Sequence, residues 1–109
     1  MSKRDKQLYI NDIVDSASAI KDFIKDMNFE EFSNDRKTYS ATIREYIVIG
    51  EAVSSLMELL EDKFPEYPWR DIKDFRNFII HEYFGVDTKI VWDLTTQELD
   101  TLLLYIKKL

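Results

Sequence analysis

Arg76, His81 and Tyr83 are the residues of this chain whose types and spacing could support chemistry. They lie within about two helical turns of one another, and His81 is the only histidine in the sequence. Arginine binds phosphates through paired hydrogen bonds, histidine exchanges protons near neutral pH, and tyrosine carries a nucleophilic hydroxyl. This combination predicts a site that handles a phosphate group.

One amphipathic helix is predicted to position these residues. Pro65 and Pro68 separate it from the preceding helix, and Pro68 suits its first turn. The pattern predicts a helix from Trp69 to Phe84, with Gly85 as its C-terminal stop. This motif helix should pack centrally in the domain.

The polar candidates fall on two stripes of that helix. At about 100° per residue, Arg76 and Tyr83 share one stripe, and Asn77 and His81 form an i,i+4 pair on the next. About 140° separates Arg76 from His81, so one straight helix does not easily bring both to one phosphate. The apolar positions are Ile72, Phe75 and Ile79, which should face the core, and Ile80 and Phe84, which widen the apolar arc. An arc this wide predicts a helix covered on two sides.

Each candidate also has a purely structural interpretation. Arg76 could pair with an interior carboxylate such as Glu51, because an unpaired guanidinium among apolar neighbours is costly. His81 could be an ordinary surface or core histidine. Tyr83 could be a packing residue, since the chain has six tyrosines and seven phenylalanines.

The remaining sequence is also helical, because two glycines and two prolines leave little turn chemistry for hairpins. A first helix presents an apolar face, and Asn28 with Glu31 forms a capping box for a short helix, Phe29 to Ser33. One long helix should then run from Asp35 to Phe64. Gly50 within it indicates a close helix crossing or a bend. The face of the first helix consists of Leu8, Ile13, Ala17, Ile20, Ile24 and Met27.

Two short helices should complete the chain. Asp87 is predicted to cap one that runs through Trp92, and Thr95 with Glu98 should form a capping box for the last. The last helix carries Leu99, Leu102, Leu103, Ile106 and Leu109. We therefore predict an all-α, up-down bundle of about four to six helices, with residues 1–109 as a single domain.

Composition narrows the classes of function. The sequence has no cysteine and one histidine, so we expect no metal site and no cofactor. It shows neither a signal-peptide pattern nor a membrane span, so we expect a cytoplasmic protein. The net charge of −6 argues against nonspecific nucleic-acid binding unless positive charge is local, as at Arg70, Lys73 and Arg76. The acidic remainder serves solubility or suits a basic partner.

The run from Pro68 to Asp87 resembles the HEPN superfamily of small helical RNA-cleaving domains, and most of all its HepT branch. The branch signature is an arginine, four residues, a histidine, one residue and a tyrosine, which Arg76, His81 and Tyr83 match. The resemblance implies a homodimeric, metal-independent endoribonuclease, the toxin of a toxin–antitoxin module. Its RNA substrate, for which tRNA is one candidate, would be cleaved to a 2′,3′-cyclic phosphate.

The resemblance also implies roles for individual residues. His81 would transfer protons, Arg76 would stabilise the phosphate, and Asn77 would orient His81 or a phosphate. An MntA-like nucleotidyltransferase antitoxin would attach AMP to Tyr83. Two alternatives stay open: a non-catalytic helical partner of a minimal nucleotidyltransferase, and a nucleotide-binding helical domain without turnover.

Overall fold

Seven α-helices and no strand make up the part of the chain that the computed structural model describes, residues 1–82 and 85–109. The all-α prediction is confirmed, with one helix more than the predicted range. In chain order the helices are α1 (Lys3–Ile24), α2 (Phe29–Ser33), α3 (Arg36–Ser55), α4 (Met57–Lys63), α5 (Trp69–His81), α6 (Thr88–Gln97) and α7 (Leu99–Ile106).

The long helix α3 has the central position that we predicted for the motif helix. It packs against α1 on one side and α5 on the other, and it also contacts α2 and α4. The motif helix α5 packs mainly on α3 and α4, while α7 packs against α1 and α6. The motif helix therefore lies at the side of the bundle. No helix in the described ranges is long and apolar enough to cross a membrane.

The core follows the predicted apolar faces. On α1, Ile13, Ala17 and Ile20 are fully buried, whereas Leu8 is 53% exposed and lies off the buried stripe. The last helix buries Leu99, Leu102, Leu103 and Ile106. Other buried residues are Phe32, Ile43, Ile49, Val53, Leu56, Leu60, Trp69, Ile79 and Val91. Burial of this kind is the main favourable term in folding.

Two of the three predicted caps are confirmed. Asn28 and Glu31 form the reciprocal capping box of α2, and the Asp87 side chain accepts from the Lys89 amide at the start of α6. The Thr95–Glu98 capping box is wrong. Thr95 lies inside α6, which extends past the predicted end at Trp92. Its buried hydroxyl donates to the Val91 carbonyl and forms a 2.6 Å hydrogen bond with the Tyr46 hydroxyl, so it cannot cap α7.

The predicted long helix is interrupted at Leu56, which separates α3 from α4. Leu56 has φ −98° and ψ 3°, outside ideal helical geometry, and its side chain is fully buried. No glycine or proline stands at this position, so neither common breaker signalled the interruption.

The predicted end of the motif helix is also wrong. α5 ends at His81, and the Glu82 amide donates to the Phe78 carbonyl as its C-cap. Phe84, the predicted last residue, lies outside the described residues. Gly85 lies in a turn in which its amide donates to the Glu82 carbonyl at 2.7 Å. α5 ends four residues before Gly85, so Gly85 is not the C-terminal stop of the motif helix that we predicted.

Candidate functional site

α5 buries its apolar stripe against α3 and leaves its polar candidates at the surface. Ile79 is fully buried, and Ile72 and Phe75 pack against the core, as predicted. The ring of Phe75 meets that of Tyr46 on α3 edge-on, with centroids 5.7 Å apart. These contacts fix the rotation of α5 about its axis.

Gly50 allows α5 to approach α3 closely at Arg76. A methyl group on Gly50 would lie 2.3 Å from the Arg76 Cβ and 2.7 Å from its Cγ, which is too close for any real contact. The arginine stem therefore occupies the space that a side chain at position 50 would need. The predicted close crossing at Gly50 is confirmed, and the interruption of the helix lies elsewhere, at Leu56.

Two hydrogen bonds orient the Arg76 guanidinium. Its Nη2 donates to Glu51 Oε1 at 3.1 Å, and its Nη1 donates to Asn77 Oδ1 at 2.9 Å. The Arg76 side chain is 31% exposed and that of Glu51 is 56% exposed. The predicted pairing with Glu51 is confirmed, although this carboxylate lies at the surface and not in the interior.

The Nε of Arg76 is buried and has no hydrogen-bond partner among the described residues. A buried donor without a partner normally costs about 1–3 kcal/mol. The Arg76 side chain as a whole is 31% exposed, so an anion can reach the guanidinium. Arg76 is therefore a candidate anion-binding residue.

His81 is the last residue of α5, and its side chain is exposed. Across residues 1–82 and 85–109, no hydrogen bond or ion pair joins it to Arg76 or Asn77. Asn77 has Arg76 as its partner, one that the sequence did not suggest, and its role towards His81 or a phosphate stays a prediction. Tyr83, the predicted modification site, lies outside the described residues.

The predicted local positive charge is largely paired. Arg70 binds Glu61 through two hydrogen bonds of 3.1 and 3.2 Å, and Arg76 binds Glu51. Lys73 is exposed and belongs to no ion pair of the described chain. An incoming phosphate would compete with two carboxylates at this surface. Among residues 1–82 and 85–109, no group of three or more side chains is placed to hold a metal ion.

Two large apolar side chains on α5 are exposed next to His81. Phe78 is 44% exposed and Ile80 is 43% exposed, on either side of the buried Ile79. The sequence pattern indicated surplus apolar surface at Ile80. It missed Phe78, which projects about 160° from Ile80 around the helix and so lies outside the arc that we identified.

The chain is similar to proteins of one family over most of its length. A family model described as "Ribonuclease HepT-like" matches residues 13–109. Two proteins of Methanocaldococcus jannaschii, both named "Putative RNase", are similar to it. One is 43% identical over 94 residues, covering 86% of this chain and 78% of the relative. The other is 37% identical over 98 residues, covering 90% of each.

A third relative is named "Probable ribonuclease HepT" and comes from Thermococcus cleftensis. It is 35% identical over 100 residues, which cover 92% of this chain and 91% of the relative. No solved structure matches the chain. With a family model over nearly its whole length and relatives above 30% identity, this chain belongs to the HepT-like ribonuclease family.

Proposed function

We propose that this protein is a metal-independent endoribonuclease and the toxin of a toxin–antitoxin module. The observation that carries the proposal is the Arg76 guanidinium, which Gly50, Glu51 and Asn77 hold at the surface of α5. Family membership supplies the reaction class, because the relatives' names describe RNases.

The proposed reaction is an internal transesterification of RNA. The ribose 2′-oxygen attacks the adjacent phosphorus while the bond from phosphorus to the 5′-oxygen breaks. The 2′-hydroxyl loses its proton to a base, and the leaving 5′-oxygen receives a proton from an acid. The products are a 2′,3′-cyclic phosphate and a 5′-hydroxyl, and no water or metal ion is consumed.

His81 and Arg76 suit the two demands of this reaction. An exposed imidazole can accept or donate a proton without rearranging the core, which is the task of a general base or acid. A guanidinium stabilises the charge that develops on the non-bridging oxygens of the phosphorane. A phosphate oxygen can replace the Glu51 carboxylate on Arg76, since that ion pair is largely solvent-exposed and therefore weak.

We propose that the complete site requires a second copy of the chain. One chain offers a single histidine, whereas the reaction needs both a base and an acid. A two-fold axis beside α5 would place two His81 and two Arg76 side chains in one cleft. It would also cover Ile80, which is exposed in one chain and projects between Arg76 and His81.

Purified protein should cleave RNA in excess EDTA. His81→Ala and Arg76→Ala should each reduce the cleavage rate by about 10²–10⁴-fold, the usual contribution of a proton-transfer group or charge-stabilising group. Arg44→Ala, which removes an exposed arginine from α3, is the matched control and should cleave normally. Cleavage that survives His81→Ala, or that needs a divalent ion, contradicts the proposal.

Light scattering tests the dimer separately. At micromolar concentration, the measured particle mass should be twice the 13.0 kDa of one chain. The substitution Ile80→Ser should give monomers that do not cleave RNA. Leu104→Ser removes a residue of α7 that is 63% exposed, and it should leave the dimer intact. A wild-type monomer that still cleaves RNA would show that one chain is sufficient.

We further propose that an MntA-like nucleotidyltransferase acts as antitoxin by attaching AMP to Tyr83. The added phosphate would be a negative group that Arg76 could bind in place of RNA. Incubation with the transferase and ATP should add AMP to the wild type but not to Tyr83→Phe. Tyr46 makes a useful comparison because its hydroxyl is buried against Thr95, so Tyr46→Phe should not change the modification. Modification that persists in Tyr83→Phe contradicts this part alone.

A second candidate function is a non-catalytic helical partner of a nucleotidyltransferase. The pairing of Arg70 and Arg76 with carboxylates favours it, because both cations are partly neutralised. The cleavage assay in EDTA separates the two candidates, since only the nuclease loses activity with His81→Ala.

A further inference from the structure

A cavity of about 260 Å³ lies between α5 and the α6–α7 region, on the floor formed by α3. Its walls are mostly apolar, and none of Arg76, Asn77 and His81 lines it. The residues that form most of the wall are Tyr46, Ile72, Phe75, Leu94, Leu99 and Leu102. The cavity is therefore separate from the proposed RNA site, although α5 contributes to both.

Two carboxylates stand in the lining of this apolar cavity. Asp71, in the first turn of α5, and Glu98, just before α7, are both exposed to solvent. Neither belongs to an ion pair within the described ranges, and no lysine or arginine lines the cavity. The cavity thus combines an apolar interior with uncompensated negative charge.

The pKa of the neighbouring Tyr67 responds to the negative charge of these two carboxylates. Burial, the largest cause, and the nearby charges of Glu98, Tyr105 and Asp71 together raise the pKa of Tyr67 to about 12. Both carboxylates therefore act on one phenol at the edge of the cavity. An anionic ligand would be repelled from this position, and a cation would be attracted.

We propose that this cavity binds a small organic cation, with an aliphatic or aromatic stem inside and an ammonium or guanidinium head between Asp71 and Glu98. A cavity of about 150 Å³ is enough to hold a benzene molecule. The larger volume here accommodates a ring or short alkyl chain together with its charged head. The rings of Tyr46, Tyr67 and Phe75 add apolar contact and cation–π attraction.

This inference does not depend on the proposed nuclease activity, because binding is measured without RNA. The probes are phenethylammonium and butylammonium, with phenethyl alcohol and phenylacetate as neutral and anionic counterparts of similar shape. Titration of the full chain, followed by two-dimensional NMR, should shift resonances of residues that line the cavity. The ammonium probes should bind at least tenfold more tightly than the alcohol, and phenylacetate should not bind.

Conservative substitutions identify the charged head group's position. Asp71→Asn/Glu98→Gln keeps the shape of both side chains, and it should weaken binding of the ammonium probes at least tenfold. It should not affect binding of the alcohol. Glu58→Gln/Asp62→Asn removes two exposed carboxylates from α4 and serves as the matched control, with affinity unchanged.

Leu94→Trp tests the cavity itself, since the indole should occupy part of it and weaken binding of every probe. The proposal is overturned if neither ammonium probe shifts the lining residues at millimolar concentration. It is also overturned if the alcohol binds as tightly as the ammonium, or if Asp71→Asn/Glu98→Gln binds like the wild type. A melting curve for each variant separates lost binding from lost folding.

Discussion

The two ends of α5 differ sharply in how they are held. At the N-terminal end, Trp69 is 1% exposed and its indole donates to the Phe64 carbonyl at 2.9 Å. Its ring lies 4.5 Å from that of Tyr67 and 5.8 Å from that of Tyr105. At the C-terminal end, His81 is exposed, and its neighbour Ile80 is 43% exposed.

This difference separates the stabilising contacts of α5 from the chemistry that we propose for its C-terminal end. The N-terminal end anchors α5 through burial and aromatic contact. At the C-terminal end Ile79 is buried, but the faces that carry Ile80 and His81 are open to a ligand or a second chain. Arg76 stands at the boundary between the two ends. Its stem packs on Gly50 like a core residue, while its side chain as a whole is 31% exposed.

The largest expected difference in the free energy of unfolding is between substitutions at the two ends of α5. Trp69→Ala should lower the free energy of unfolding by about 3–5 kcal/mol, the usual result of deleting a buried aromatic side chain. His81→Ala should change it by less than about 0.5 kcal/mol, because exposed side chains without partners contribute little. Urea unfolding of both variants, followed by circular dichroism, measures the difference. A His81→Ala loss above about 1 kcal/mol would contradict the assignment of this end to chemistry.

The second-largest expected effect tests the contact between Arg76 and Gly50, at the boundary between the two ends of α5. Gly50→Ala would place a methyl group 2.3 Å from the Arg76 Cβ, so α3 and α5 must separate or shift. Overpacking of this kind costs about 1–3 kcal/mol. RNA cleavage should fall as well, because Arg76 moves with α5.

Gly85→Ala is the matched control for that substitution. Among the described residues, a methyl group there would meet only Glu82, at 3.6 Å or more, which is ordinary contact distance. Stability should therefore change little. Equal losses for the two alanine variants would show that the effect at position 50 reflects glycine replacement in general and not the crossing.

The sequence was most informative where one residue type has a strong local reason for its position. Asn28 with Glu31 predicted α2 and its capping box, and Asp87 predicted the start of α6. Gly50 in the middle of a predicted helix indicated a close crossing or a bend, and the structure shows the crossing. In each case a side chain, or its absence, acts within a few residues or on one direct neighbour.

Predictions failed where distant partners decide the structure. Thr95 and Glu98 have capping-box spacing, but Tyr46, 49 residues away, binds the Thr95 hydroxyl inside α6. Leu56 interrupts a helix at a residue with high helix propensity, and its burial is a property of the whole core. Near the candidate site, the sequence offered a pairing of Arg76 with Glu51 as its structural interpretation, and the structure shows that ion pair. The sequence did not identify Asn77 as the second partner of the guanidinium.

A smaller effect concerns the buried nitrogen of Arg76. Methionine keeps an unbranched stem against Gly50 and removes the Nε that lacks a partner among the described residues. Methionine also loses the ion pair with Glu51, worth about 0–1 kcal/mol, and the hydrogen bond to Asn77, worth about 0.5–1.5 kcal/mol. Removal of the buried Nε, worth about 1–3 kcal/mol, should offset both losses, so Arg76→Met should be at least as stable as the wild type while it abolishes RNA cleavage.

Arg70→Met provides the control for Arg76→Met, because Arg70 also pairs with one carboxylate but has no buried unpaired nitrogen. Its stability should stay within about 0.5 kcal/mol of the wild type. If Arg76→Met is instead less stable than the wild type, the bond to Glu51 is a structural contact and Arg76 is not held at a cost for function.

The smallest effect appears at high pH and belongs to the N-terminal end. Burial raises the pKa of Tyr67 from its ordinary value near 10 to about 12, and it also raises the pKa of the buried Tyr46. The unfolded chain therefore releases these protons at lower pH than the folded chain. Their contribution to stability is complete below about pH 10 and is lost as the pH rises towards 12. Urea unfolding across pH 9–12 should show stability falling with pH, and Tyr67→Phe should make that fall shallower. An unchanged slope in Tyr67→Phe would mean that Tyr67 titrates equally in both states, and that this end of α5 is open to water like the other.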